Sequence, residues 1–269
     1  MTATEKFQSL YFEYKNNVSD STERLAYKIH EGAGPVLIWC GGLRSDMLGS
    51  KAECLHDWAQ DSGQSYIRFD YFGHGESSGE FEQGHIGMWR DDIIRVMDHM
   101  APDQDIILCG SSMGGWASIL AALERRGRVK ALLLIAPAPD FTQKLMWPNF
   151  SPDIQDQIIK DGVYYEPSPY GEPMPVSKTL IEKSADYQIL DQPITLDIPI
   201  RILQGMKDEP VPWQHPFRFI KAVTSEDVEI TLVKSGDHSL SQPHDLRRLV
   251  KTAKELVASV TRQSDTSHT

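Results

Sequence analysis

From about residue 34 onward, short apolar runs alternate with longer stretches whose apolar residues recur at helical spacing, which leaves few architectures open. Pro35-Val36-Leu37-Ile38-Trp39-Cys40 is continuously apolar and is ended by Gly41-Gly42, the pattern of a strand covered on both faces. Residues about 49–62 read as a helix with Leu55, Trp58 and Ala59 on one face. Ser65 to Asp70 reads as the next strand, and Gly73-His74-Gly75 as a turn. A helix over about 86–100, apolar at Ile93, Ile94, Val96 and Met97, precedes a strand over 106–109, a helix over about 112–126 and a strand over 131–135. Strand and helix repeated in this way predict an α/β fold: a mostly parallel central sheet flanked by helices.

Two segments ahead of residue 34, about 8–16 and 23–30, alternate polar and apolar residues and suit an antiparallel edge hairpin. The α/β alternation stops between Pro137 and Pro199, in some 60 residues rich in Pro, Tyr and polar groups, and resumes with Ile200-Arg201-Ile202-Leu203. A structureless loop of that length does not suit a compact domain, so the interruption reads as a small helical cap insertion. The expected layout is a core of 1–137 and 199–262, a cap of 138–198 and a disordered tail of 263–269. The last elements are a helix near 215–223, a strand over 228–233 and a helix near 242–259.

Composition narrows the function. The chain has 269 residues, 40% of them apolar, so one large core is available. Asp and Glu outnumber Lys and Arg, 38 to 27, for a net charge of −11. Such a surface repels phosphate backbones and anionic headgroups, so neither nucleic acid nor membrane insertion is expected, and no apolar run is long enough for a membrane helix. Cys40, Cys54 and Cys109 are odd in number and lack ligand spacing; they read as reduced thiols of a cytoplasmic protein. No HExxH, cysteine pair or acidic triplet appears, and neither glycine turn extends into a phosphate-binding fingerprint, so no metal and no cofactor are expected. Oligomeric state is open.

Gly110-Ser111-Ser112-Met113-Gly114 directly follows the strand 106–109 and opens a helix, which is the context a G-x-S-x-G nucleophile elbow requires. Ser112 has glycine at both flanking positions; Ser111 does not. A serine needs a base to take its proton. Of the nine histidines, His238 in Ser235-Gly236-Asp237-His238-Ser239 follows the last strand, on the rim to which parallel strands deliver their loops. His74 reads as part of a turn, and His30, His56, His85, His99, His215, His244 and His268 as solvated. Asp208, after the strand 200–203, supplies the acid in the order nucleophile, acid, base; Glu209 and Asp237 are its rivals. Amides of Met113 and, within one residue, Leu43 are the expected oxyanion donors. Met146, Trp147, Tyr164 and Tyr165 are candidates for lining an acyl pocket or, equally, for forming the cap's own small core.

With these residues in place the chain resembles the α/β-hydrolase superfamily over nearly its whole length. More closely, it resembles the abhydrolase-type mitochondrial palmitoyl-protein thioesterases that also cleave acyl glucuronides. The resemblance lies in Ile67 to Gly73, Gly87 to Asp92, Gly110 to Trp116, and Pro199 to Trp213. It implies Ser112, Asp208 and His238 as a catalytic triad. Two departures stand out: Gly41-Gly42 and Gln204-Gly205, where many relatives carry His-Gly. The expected activity is hydrolysis of small-molecule acyl esters or thioesters, of medium or longer chain, through an acyl-serine. The alternatives are a peptidase or carbon–carbon bond hydrolase on the same fold, or a non-catalytic receptor that keeps the pocket.

Overall fold

The structure is a computed structural model that describes residues 9–15, 21–167 and 172–266, with side chains described to residue 262. Eight strands form one sheet: β1 (Leu10–Lys15), β2 (Thr22–His30), β3 (Ala33–Cys40), β4 (Gln64–Phe69), β5 (Ile106–Ser111), β6 (Val129–Ile135), β9 (Ile200–Gly205) and β10 (Val228–Val233). Their order is β1-β2-β4-β3-β5-β6-β9-β10. The first two strands are antiparallel, as the alternation ahead of residue 34 predicts, and every pairing from β4 to β10 is parallel.

The layers follow from side-chain alternation along buried strands. Val36, Ile38 and Cys40 of β3 point to one face, into a core shared with α2 (Ile86–Met100) and α3 (Met113–Glu124). Leu37 and Trp39 point to the other, against α1 (Ser50–Ser62) and α7 (Pro243–Thr266). Helix α6 (Pro216–Ala222) adds Phe219 to the first core. A sheet covered on both faces explains why its strands read as unbroken apolar runs.

Between β6 and β9 lies the insertion. It begins with a π-helical turn, Thr142–Met146, and a 3₁₀ turn, Trp147–Asn149, followed by α4 (Pro152–Asp161) and α5 (Lys178–Ser184). Ser151 and Ser177 cap the two helices by accepting the amides of Ile154 and Leu180. The insertion is not wholly helical: β7 (Val163–Glu166) pairs antiparallel with β8 (Met174–Ser177). Four residues a strand are too few for alternation to register against the surrounding Pro and Tyr. Asp140, at φ +56°, ties both ends of the insertion together, its carboxylate accepting the amides of Ile189 and Leu190 at 2.9 Å each.

A second correction concerns the tail. Helix α7 runs to Thr266, past residue 263 where a disordered tail is expected, because propagating a formed helix adds a hydrogen bond with each residue. Residues 267–269 lie outside the described residues.

Candidate active site

Ser112 sits between β5 and α3 with φ +53° and ψ −117°, a conformation an L-residue adopts only under constraint. The constraint comes from its neighbours. Its amide donates to Ile135 O at 2.8 Å, and its carbonyl accepts from Gly115 and Ala138. A Cβ at Gly110 would lie 2.5 Å from Gly114 O, and one at Gly114 would lie 2.2 Å from the carbonyl oxygens of both Cys40 and Gly41. The two glycines of the elbow thus let the turn close tightly and let α3 start against the end of β3.

The serine, histidine and acid read from the sequence are brought together in one hydrogen-bonded chain. His238 Nε2 lies 3.0 Å from Ser112 Oγ, and His238 Nδ1 lies 2.8 Å from Asp208 Oδ2. The Asp208 carboxylate is fully buried, whereas the His238 side chain is 30% exposed. Asp208 also accepts from Gln204 Nε2 at 3.0 Å and from the Val211 amide at 2.7 Å. Gln204, one of the two departures, therefore holds the acid directly. Its neighbour Gly205 leaves room for the histidine loop, since a Cβ there would lie 2.4 Å from Asp237 O. The two rival acids are elsewhere: Asp237 Oδ1 accepts the Leu240 amide within its own turn, and Glu209 is exposed.

Leu43 and Met113 both border the cavity beside Ser112. Met113 opens α3, where amides have no acceptor within the helix and the helix end carries partial positive charge. The Arg44 amide is engaged instead with His74 Nε2 at 3.1 Å. That bond fixes the His74 tautomer, because Nε2 must accept and Nδ1–H donates to Phe72 O. His74 is buried among Tyr71, Phe81 and Trp89, and burial pulls its pKa down to about 4. The 41–49 loop has two further anchors. The Met47 amide donates to Asp70 Oδ1 at 2.7 Å, and the Arg44 guanidinium donates to Pro173 O of the insertion at 2.8 Å. Lys51 Nζ donates to Ser239 O, next to His238, at 2.5 Å.

These groups open into a cavity of about 800 Å³. Of the insertion residues read as pocket candidates, Met146 borders it. Trp147 and Tyr164 instead pack with Ile158, Val176 and Ile181 in the insertion's own core, and Tyr165 is 53% exposed. The apolar wall that sequence reading missed is Phe141, Leu145, Phe150, Met174 and Val211. Phe141 and Leu145 share one face of the turn that Asp140 initiates, and no periodic signal marks a single π-helical turn. His215 is a further correction: it is buried, and its Nε2 lies 2.8 Å from Pro139 O, so it braces the start of the insertion rather than facing solvent.

Comparison with known proteins agrees with this architecture. The family described as serine aminopeptidase, S33 (Hydrolase_4), matches residues 36–160. Human palmitoyl-protein thioesterase ABHD10, mitochondrial, is 36% identical over 235 residues, 87% of this chain and 76% of that one. The solved structure of mouse α/β hydrolase domain-containing protein 10 superposes with a TM-score of 0.83 at 32% identity, covering 94% of this chain and 99% of that one. A crystal structure of an Agrobacterium vitis S4 protein gives 0.87 at 35% identity, covering 93% and 98%. Sheet order, insertion and kinship together define an α/β hydrolase. The chain belongs, within that superfamily, to the family of the ABHD10 proteins.

Proposed function

We propose that this hydrolase cleaves carboxylic esters and thioesters through an acyl-serine at Ser112, with His238 as base and Asp208 as its partner. The observation that carries the reading is the continuous Ser112–His238–Asp208 chain, at 3.0 and 2.8 Å, on a strained turn beside an apolar cavity. His238 takes the Ser112 proton as Oγ attacks the acyl carbonyl. The carbonyl oxygen, now negative, is held by the amides of Met113 and Leu43. Collapse expels the alcohol or thiol, protonated by His238. A water deprotonated by His238 then attacks the acyl group and frees Ser112. The kinship with proteins named as palmitoyl-protein thioesterases supports an acyl group on the substrate, and the apolar wall favours one of medium or longer chain.

A fluorophosphonate should label wild-type protein at Ser112, and Ser112→Ala should lose both labelling and turnover by roughly 10³-fold or more. Labelling that persists in that variant removes Ser112 as nucleophile. A panel of p-nitrophenyl esters from acetyl to palmitoyl tests the acyl group. Each buried methylene is worth about 0.8 kcal/mol, roughly fourfold, so kcat/KM should climb until the cavity is full. A profile that falls from acetyl onward rejects the acyl pocket but not the triad. Tight ligand binding with no turnover of any ester favours a receptor.

A further inference from the structure

We propose that Gln204 is a positioning residue for the hydrolysis: its amide, donating to the same Asp208 oxygen that accepts from His238, sets the plane of the carboxylate and through it the orientation of the base. The inference rests on the Ser112–His238–Asp208 reading and adds a fourth side chain to that machinery.

Gln204 is the next-to-last residue of β9 and shares a strand face with Ile200 and Ile202, which belong to the core beneath α2 and α3. An amide that continues an apolar row, with no exposure to solvent, has to find its partners inside the protein. Nε2 finds three acceptors: Asp208 Oδ2 at 3.0 Å, Gly205 O at 3.1 Å and Val211 O at 3.2 Å. These settle which way the amide points, because an oxygen in that place would meet three acceptors and no donor. The other end of the same amide is unpartnered: Oε1 is buried without a hydrogen bond to any described residue. An apolar side chain of equal length would avoid that cost, so packing alone does not call for glutamine here. Polar groups left half-satisfied in this way gather at working sites.

What the amide does follows from the freedom of the carboxylate. The torsion that turns an aspartate carboxylate has broad preferences, so neighbours must fix its plane. Oδ1 takes the Val211 amide at 2.7 Å and Oδ2 takes Gln204, one donor on each oxygen. Without Gln204, Oδ2 would be held by His238 alone, the group whose direction it has to set. The backbone nearby is secured separately. The amides of Met206 and Lys207 donate to Val233 O and Gly236 O, and Lys51 Nζ holds Ser239 O beside the base. The course of both loops therefore does not depend on Gln204, whereas the carboxylate plane does. Gln204 does not border the cavity, so substrate does not meet it.

The test replaces Gln204 by methionine, which has the same length and no donor. Rates are read with p-nitrophenyl octanoate and, independently of substrate, as the second-order rate of Ser112 labelling by a fluorophosphonate. Gln204→Met should lower kcat and the labelling rate by about 10–100-fold, the cost of a misdirected base, and change KM by no more than about twofold. In an Asp208→Ala background, which keeps measurable turnover, the same substitution should change either rate by less than about twofold, since the group it acts through is gone. A structural defect would persist in that background. Rates for Gln204→Met near those of wild type, or a loss of equal size with and without the Asp208 carboxylate, overturn the proposal and leave the hydrolase reading standing. Should Gln204→Met not fold, Gln204→Leu carries the same comparison; if neither folds, Gln204 serves the fold and the proposal is likewise overturned. Wild type left unlabelled at Ser112 and inactive on the ester overturns the reading itself and this inference with it.

Discussion

Asp208 Oδ2 meets two donors, His238 Nδ1 and Gln204 Nε2, while Oδ1 takes the Val211 amide. A buried carboxylate surrounded in this way serves as an acceptor for His238 and keeps the imidazole in one tautomer. Asp208→Asn should leave the fold intact and reduce kcat by about 10⁴-fold, because an amide in that place favours the wrong tautomer. Glu209→Gln and Asp237→Asn should cost far less; steady-state kinetics of the three variants on a p-nitrophenyl ester decides between them. At this scale Ser112, Asp208 and His238 were legible because each lies in a local pattern beside a strand end. His74 and His215 were not, because burial and partners supplied by distant segments determine what they do.

His74 also carries a pH dependence whose sign follows from its low pKa. Below about 6.5 the unfolded chain protonates this histidine, whereas the folded chain resists until about 4. The stability that burial of neutral His74 provides is thus complete above pH 6.5 and is lost as pH falls through 4, about 3 kcal/mol in all. His74→Phe keeps a ring among Tyr71, Phe81 and Trp89 but removes the acceptor for the Arg44 amide, at a cost of about 1–3 kcal/mol near neutrality. The gap between variant and wild type in urea-unfolding free energy should be largest at pH 7.5 and narrow by pH 4.5. A gap that stays constant over that range rejects the role of the His74 proton.

The insertion is the element on which sequence and structure part furthest. Its existence and its place between β6 and β9 were readable, since the α/β rhythm stops at Pro137 and resumes at Ile200. Its wall residues were not. Met146 was found as a large apolar residue, but Trp147 and Tyr164 turn into the insertion's own core with Ile158 and Val176. Which side of so short an element faces the cavity is decided by how Asp140 and His215 seat it on the sheet. Phe150 borders the cavity and packs edge-on against Tyr164. Phe150→Ala should therefore enlarge the cavity and move the acyl-length optimum to longer chains. A p-nitrophenyl ester profile measured for both proteins tests this, and an unchanged optimum places the acyl chain elsewhere.

For the whole molecule, two cores on opposite faces of one sheet share the task of holding the rim in shape. The second core depends on α7, whose Leu249, Ala253, Leu256 and Val260 are buried against α1 and the sheet. Leu256→Ala should cost about 2–5 kcal/mol, read from chemical denaturation. The strands and most helices of this frame were legible because their burial is nearly complete and their apolar runs unbroken. Where α7 stops was not, because its last turns are polar and continue only by the cooperativity of the helix already formed.

The absence of a side chain at Gly114 acts as a gauge block. Leu43 and Met113 belong to segments seventy residues apart in sequence, and what sets the spacing between their amides is how nearly α3 can be pushed against the carbonyls of Cys40 and Gly41. That clearance is filled by a hydrogen atom. Machinists would call it a reference surface: every tolerance in the proposed anion cradle is measured from it. A methyl group there is a shim, wedging the two donors apart without touching serine, histidine or acid. Gly114→Ala should therefore lose about 1–3 kcal/mol of stability or more and turn over substrate at least about tenfold more slowly.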